Sequence, residues 1–480
     1  MVFTTAGGGA NQLDTGYNID NSLRFNYVDS ADLRFTPSSA GTEETFTISA
    51  WIKKTMNSAN SGIGGQDCYL FSSQTDSNNR TVMGVFGSSG TQGIFFENKV
   101  SGTSSYVDSA ATFRDPSAWM HCVWAIDTTQ STDTNRVKLY VNGSQISSFD
   151  STSYPAQNTV TQWSRAQINY IGSRAGGNYY DGYLSEVHVI DGQQLAPTEF
   201  GETDDNGVWI PKEYEGTYGN NGFFLKFADS SDGGVDSSGN GNNFTATNLT
   251  AQDNTTDTPT NNFCTMNPLI KSTTSSVNKP TYSEGNCLVT NHPDGDCSTL
   301  STMGVANGRW YFEAKFEKAT TDVQGYPQLG WAKHGNDNDG GHVGFNTPDG
   351  SNYRGKVDAT VIANAFDGAP AANDIIGFYL DVDNGTLIVH QNGSDFMGSG
   401  ALSGLDFSST TFDPDIGFFQ VKYNSNSNID HSIQFNFGNP TFSISSSNAD
   451  ANGYGSFEYS PTLSGTNYYA LCTKNLAEFG

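Results

Sequence analysis

The sequence contains no run of about 18 consecutive apolar residues, the length a helix needs to cross a bilayer, so no membrane insertion is expected. Its start, Met1-Val2-Phe3-Thr4-Thr5-Ala6-Gly7-Gly8-Gly9, has neither the basic nor the apolar stretch of a secretory signal, and export by that route is not expected. Basic residues are scarce: 23 Lys and Arg stand against 50 Asp and Glu, for a formal net charge of −27. A field of that sign repels nucleic acid and anionic lipid while favouring solubility. It excludes a nucleic-acid partner and reads as adaptation to a salty medium. Cysteine is sparse, and Cys68, Cys122, Cys264, Cys287, Cys297 and Cys472 show no Cys-x-x-Cys spacing, so neither a zinc site nor a thioredoxin-type motif is supported. Cys122 lies in an apolar strand pattern and is expected as a buried thiol. Cys287 and Cys297 could pair, with free thiols the default for a chain lacking a secretion signal.

Catalytic patterns are missing as well. A retaining glycosidase on a two-sheet fold needs two carboxylates about 5 Å apart, as a Glu-x-Asp-x-x-Glu strand presents them. The nearest string, Glu202-Thr203-Asp204-Asp205-Asn206-Gly207, lacks the third carboxylate and sits in a polar loop. There is no Gly-x-Ser-x-Gly elbow, no His-Glu-x-x-His helix and no phosphate-binding Gly-Lys loop. Of the seven histidines, His121, His188, His390 and His431 fall in strand patterns, where satisfied or exposed structural roles are expected. The chain is therefore expected not to be an enzyme. Apolar repeats at i, i+3, i+4 and i+7 are few, which excludes long helices. With no coiled coil, collagen-like repeat or long β-helix, nothing marks a fibre shaft.

Aromatics, glycine and turn formers are abundant. Phe 31, Tyr 22 and Gly 53 suit short strands joined by tight loops around a ring-rich core. In residues 46–53, Phe46, Ile48, Ala50 and Ile52 alternate with Thr47, Ser49, Trp51 and Lys53, the period of a half-buried strand. Val137, Leu139 and Val141 repeat the pattern, and Asn142-Gly143 supplies a type I′ hairpin turn. In the second half, Trp310, Phe312, Ala314 and Phe316 alternate with Tyr311, Glu313, Lys315 and Glu317. Residues 374–389 form a hairpin pattern turning at Asn384-Gly385, with Asn392-Gly393 ending its return strand. The last strands are expected over Ile416–Val421 and His431–Phe437. These patterns predict an all-β chain of two tandem antiparallel β-sandwiches. Residues 1–21 read as an arm and 22–200 as the first sandwich. Residues 201–274 read as a connector holding one or two strands, including Gly222–Phe227, and 275–480 as the second sandwich.

The strings FTISAWIKK (46–54), SAWMHCVWAID (117–127), VKLYVNGS (137–144) and INYIGSRAGGNYYDGYLSEVHVIDGQQLAPTEF (168–200) resemble, in kind and order, a laminin-G-like domain of the concanavalin A type. That resemblance implies a jelly-roll scaffold that binds glycans and proteins, often with calcium. The strings NGRWYFEAKFE (307–317), PQLGWAK (327–333), NDIIGFYLDVDNGTLIVHQNG (373–393) and IGFF (416–419) resemble a SPRY domain, an interaction module without catalytic machinery. The tandem, with FADSSDGGVDSSGNGNNFT between its parts, NNFCTMNPL at 261–269 and ALCTKNL near the end, is similar to virion surface proteins of marine bacteriophages. It implies a tail fibre, receptor-binding knob or capsid appendage on the virion surface, assembled in the host cytoplasm. Such a protein would bind host surface glycan or protein and would meet other virion proteins through its N-terminal arm. By analogy it could be a homo-oligomer such as a trimer, although no residue pattern encodes a stoichiometry. A non-phage bacterial surface adhesin is the alternative, followed by a polysaccharide depolymerase.

Two kinds of site are expected. Sugar recognition uses aromatic faces beside amides, carboxylates or guanidinium groups, a combination offered by Arg174, Asn178, Tyr179, Tyr180 and Asp181, and by Tyr353 and Arg354. Calcium, which takes six to eight oxygens, would find them at Asp229, Asp232 and Asp236, or at Asp337 and Asp339 around Asn338. Asn178 and Asp181 form a third such loop. The same residue types are ordinary turn formers, and Asp181-Gly182 also belongs to the laminin-G-like fold signature.

Overall fold

The computed structural model describes residues 16–55, 69–85, 93–269, 280–290, 297–317, 327–333, 342–346, 354–357, 360–362, 365–368, 370–398, 402–404, 416–423 and 432–480. The chain is all-β, as its period-two patterns require, and it divides into two compact units, Asp14–Thr260 and Asn261–Gly480. No helix of the described residues is long and apolar enough to cross a membrane.

The first unit is a two-sheet sandwich. One sheet runs in the order Ser144–Gln145, Val137–Val141, Trp119–Asp127, Thr45–Lys54, Gly182–Asp191, Ser22–Phe25, Asn254–Thr255, with Phe223–Leu225 also paired to Gly182–Asp191. The other runs Phe149–Ser153, Thr103–Ser109, Phe95–Val100, Asn79–Gly84, Tyr69–Asp76, Asn169–Ile171, Asp32–Phe35, Thr245–Thr247. Pairing is antiparallel throughout the central ladders. The inward sets predicted from alternation meet between the sheets: Phe46, Ile48, Ala50 and Ile52 pack with Phe71, Trp124, Trp163 and Leu139. The Trp124 indole N–H is satisfied by the Phe95 carbonyl at 2.8 Å. Asn142 and Gly143 both take positive φ, at 46° and 75°, as the hairpin turn demands.

Residues 201–260 are not a connector. Phe223–Leu225, Thr245–Thr247 and Asn254–Thr255 add strands to the two sheets, and Phe223, Leu225, Phe227 and Phe244 enter the core. The polar residues between these anchors are organised by their own side chains, so a low apolar content did not leave the stretch loose. The boundary therefore falls at 260/261 instead of spreading over 201–274. The expected arm is shortened too. Ile19 is buried, its N–H and C=O bridged by the Thr260 hydroxyl, and Tyr17 donates to Glu186 at 2.7 Å. Residues 1–15 lie outside the described residues.

This rearrangement explains a second departure. Strand Thr45–Lys54 is buried on both faces from Phe46 onward. Its outer face is roofed by the segments after residue 192: Thr47 donates to the Gln193 carbonyl, and the Lys53 ammonium reaches Asp257 at 2.6 Å with both side chains out of solvent.

The second unit is also a two-sheet sandwich. One sheet runs Thr281–Ser283, Leu288–Thr290, Ser432–Asn436, Arg309–Phe316, Ile375–Asp381, Thr386–Gln391, Ser394–Asp395; the other runs Cys297–Val305, Gly417–Tyr423, Pro327–Lys333, His342–Asn346, Arg354–Val357, Thr360–Ile362. Trp310, Phe312, Ala314 and Phe316 face a core with Phe378, Leu380, Trp331 and Phe419. The opposite face of Arg309–Phe316 is again covered. Buried Glu313 accepts from the Tyr311 hydroxyl, Asn436 Nδ2 and the backbone N–H groups of Glu458 and Tyr459. Beyond the expected last strands, Tyr469–Ala470 pairs parallel to Arg309–Phe316, and the chain closes on a short helix, Thr473–Phe479. Cys122 and Cys472 are free, buried thiols; burial pushes the first well up and the second to about 12. The side chain of Cys297 lies outside the described residues, and so does any pairing with Cys287, the alternative to free thiols.

Candidate functional site

Strand Asn169–Ile171 leads into a tight hairpin at residues 174–177. Reciprocal backbone bonds between Arg174 and Gly177, at 2.8 and 3.0 Å, close a two-residue turn with Ala175 at φ 49° and Gly176 at φ 75°. The Tyr179 hydroxyl returns to the Gly176 carbonyl at 2.7 Å and pins the aromatic ring beside the turn. The Arg174 guanidinium lies over the Tyr69 ring, 4.8 Å from its centroid, and donates to the Tyr69 hydroxyl at 3.1 Å. Tyr69 packs edge-on against Phe95, so the platform under Arg174 is fixed.

The neighbouring strand supplies a second guanidinium. Buried Asp32 receives Arg34 Nε and Nη2 at 2.8 and 3.1 Å and also the Ser173 hydroxyl at 2.7 Å. Hydrogen bonding to Asp32 raises the Arg34 pKa. Arg34 sits 5.6 Å from the Tyr170 ring centroid, directly across the ladder from it. A methyl group on Gly176 would lie 3.8 Å from both Arg34 Nη2 and the Tyr179 hydroxyl, so these two groups meet at the hairpin. Arg34, Tyr170 and Tyr179 thus form a half-exposed group of rings around a fork-shaped donor, and half-exposed Arg174 stands at the same hairpin. Rings of this kind take the C–H face of a sugar, and guanidinium N–H groups take its oxygens.

Of the residues expected from sequence, Arg174, Asn178 and Tyr179 belong to this hairpin. Tyr180 and Asp181 do not. Tyr180 is fully buried against Phe25, its hydroxyl donating to the Lys53 carbonyl at 3.1 Å and its backbone N–H to the Gly172 carbonyl at 2.7 Å. Asp181 is buried beside it. Arg34, Asp32, Tyr170 and Tyr69 were missed. Asp32 and Arg34 are two apart and so share a face, but their meeting with residues 170–179 depends on a pairing between strands distant in sequence. Tyr353, Asp337, Asn338 and Asp339 lie outside the described residues, as does the side chain of Arg354.

The aspartates at 229, 232 and 236 bond within their own loops. Asp229 caps the N–H and hydroxyl of Ser231. Asp232 caps the N–H of Gly234. Asp236 accepts the N–H groups of Phe224, Ser238 and Asn242. These are turn-forming roles, and among the described residues no group of three or more His, Cys, Asp or Glu side chains is placed to hold a metal ion.

A second polar cluster sits on the outer face of the other sheet, under the roof of residues 200–224. Ser49 Oγ lies 2.8 Å from His121 Nε2, an arrangement that suggests an activated nucleophile. Its wiring runs the other way. Trp209 Nε1–H, which can only donate, points at His121 Nδ1 at 3.1 Å. Nδ1 is therefore the acceptor, the proton sits on Nε2, and His121 donates to Ser49 instead of drawing its proton. Burial holds the ring neutral, lowering its pKa to about 3. His188 stacks on Phe224 at 4.1 Å and bridges the Tyr218 hydroxyl and Glu186. Glu186 reaches this face through a bulge in strand Gly182–Asp191, where it adopts φ 48°. The recess bounded by Ser49, His121, Glu186, His188 and Lys212 holds no water-sized void.

Residues 21–199 match the concanavalin A-like lectin/glucanases superfamily. The match contains every residue of the Arg34–Tyr179 patch and ends before the strands at 223–255 that complete the sandwich. No curated protein sequence matches the chain. Among solved structures, the chain is similar to the SPRY domain of human HERC1, at 12% identity over 35% of this chain and 96% of that one, TM-score 0.25. It is similar to a heptameric SAP-like pentraxin from Limulus polyphemus, at 21% identity over 37% and 78%, TM-score 0.26. It is also similar to domain 4 of an extracellular arabinanase from Geobacillus stearothermophilus, solved with arabinotriose, at 16% identity over 33% and 65%, TM-score 0.25.

Proposed function

We propose that this chain is a glycan-binding adhesive protein without catalytic activity, working on the surface of a bacteriophage virion as a tail fibre, receptor-binding knob or capsid appendage. The observation that carries the binding role is the patch of Tyr170, Tyr179, Arg34 and Arg174 on a segment that matches the concanavalin A-like lectin/glucanases superfamily. Sugar would stack on the half-exposed rings while the guanidinium groups hold its hydroxyls. The reversed Ser49–His121 bond supports a role without hydrolysis. The virion assignment draws on the tandem arrangement and its intervening strings. In it, the second unit acts as a SPRY-like interaction module and residues 1–15 engage a neighbouring virion protein.

Two measurements test this. Immunogold labelling of purified phage places the chain on the particle; label confined to uninfected host surfaces would favour the cellular adhesin instead. A glycan-binding screen of the full chain gives a host-surface saccharide whose binding is lost in Tyr179→Ala. Release of reducing ends from that saccharide would overturn the non-catalytic reading.

A further inference from the structure

The patch carries an asymmetry that its sugar-binding reading alone does not use. We infer that its ligand is an acidic glycan, with Arg174 pairing with a carboxylate, sulfate or phosphate group on the saccharide; this rests on the proposed glycan-binding role and specifies its substrate class. In a chain with 50 acidic and 23 basic residues, guanidinium groups are readily claimed by carboxylates. Arg24 pairs with Asp253, Arg34 with Asp32, Arg80 with Glu97 and Arg165 with Glu43, while Arg136 and Arg309 are held by backbone carbonyls. Arg174 has no carboxylate partner among the described residues. Its side-chain contacts are the Tyr69 ring and hydroxyl, which orient it without neutralising it.

A positioned cation with no carboxylate among the described residues around it is the group that an anionic ligand completes. The planar fork matches an oxyanion through two parallel N–H bonds, and the tyrosine platform has already removed much of the side chain's rotational freedom. Arg34 plays a different part. Its charge is balanced by Asp32, so its remaining N–H groups suit neutral hydroxyls. Across the hairpin the site thus reads charge at Arg174, and hydroxyls and ring faces at Arg34, Tyr170 and Tyr179. The chain's net charge opposes an anionic ligand at long range, but screening shortens that repulsion to about 8 Å at physiological ionic strength, leaving the local guanidinium to decide at contact.

The experiment measures binding of the full-length chain to three oligosaccharides of equal length: a polyuronate, a sulfated glycan and a neutral glucan. At least one acidic probe is expected to bind about tenfold or more tightly than the neutral one, and Arg174→Gln to erase that preference. Arg174→Lys keeps the charge but loses the fork, so it should retain part of the preference. Which acidic probe is preferred separates carboxylate from sulfate recognition. Neutral glucan bound as tightly as both acidic probes, with Arg174→Gln unchanged and Tyr179→Ala still deleterious, overturns the acidic specificity and leaves glycan binding intact. Binding untouched by Tyr179→Ala, or absent for every probe, overturns the reading of the patch itself. Thermal melts of each variant confirm folding, since both side chains are half-exposed.

Discussion

Single side chains here are constrained by what the roof segments bring to them. His121 titrates near 3 in the folded chain against 6.5 for an ordinary histidine. Between those values the unfolded chain binds a proton that the folded chain refuses, so this residue's contribution is complete above pH 6.5 and is lost as pH falls toward 3. The slope for one such group is at most about 1.4 kcal/mol per pH unit. Thermal or urea unfolding from pH 7 to pH 4 should show that loss, and His121→Phe should flatten this part of the curve even though it also gives up the bonds to Ser49 and Trp209. Parallel slopes in the two proteins would remove His121 from the account. Gly182 is constrained by geometry rather than charge. At φ 149°, a side chain there would meet the Tyr180 hydroxyl and the Lys53 carbonyl. Gly182→Ala should therefore destabilise the first unit by about 2 kcal/mol or more, read as a shifted urea midpoint. Gly182 is accordingly a structural position.

Elements that looked like linkers turn out to complete the sheets. Lys53 lies on the outer face of a central strand, and its partner Asp257 lies beyond the stretch expected to be a connector. Both are shielded from solvent, and Asp257 also receives the Trp119 indole N–H at 3.0 Å. Removing one member of such a pair leaves a buried charge uncompensated, so Lys53→Met should cost about 3–5 kcal/mol in urea unfolding. A loss below about 1 kcal/mol would mean that the clasp contributes little. The same architecture makes a prediction about fragments. Residues 14–260 should fold cooperatively alone, whereas 14–200 should bind apolar dyes and aggregate, because the faces covered by Trp209 and Phe224 would be open. Cooperative melting of the shorter fragment would restore the connector reading. In the second unit, Glu313 with its four donors plays the corresponding part, tying residues 458 and 459 to the face of Arg309–Phe316.

At the scale of the whole chain, a net charge of −27 means that self-repulsion opposes compaction, and salt relieves it. The melting temperature should rise as sodium chloride is raised from about 0.05 to 0.5 M, a range that shortens the Debye length to a few ångströms; a flat or falling response would separate the acidity from any adaptation to salt. Strand positions, inward faces and the Asn142-Gly143 and Asn392-Gly393 turns were legible in the sequence because a period of two and a demand for positive φ are local properties. The all-β class and the aromatic core follow from those alone. The tertiary structure decided which outer faces stay wet, because Ser49, Lys53 and Glu313 are covered by segments far along the chain whose own composition reads as loop. It decided the site in the same way. Arg174 and Tyr179 stand out in the sequence, but Arg34 and Tyr170 join them through a pairing between strands some 135 positions apart, and no local rule reports such a distance.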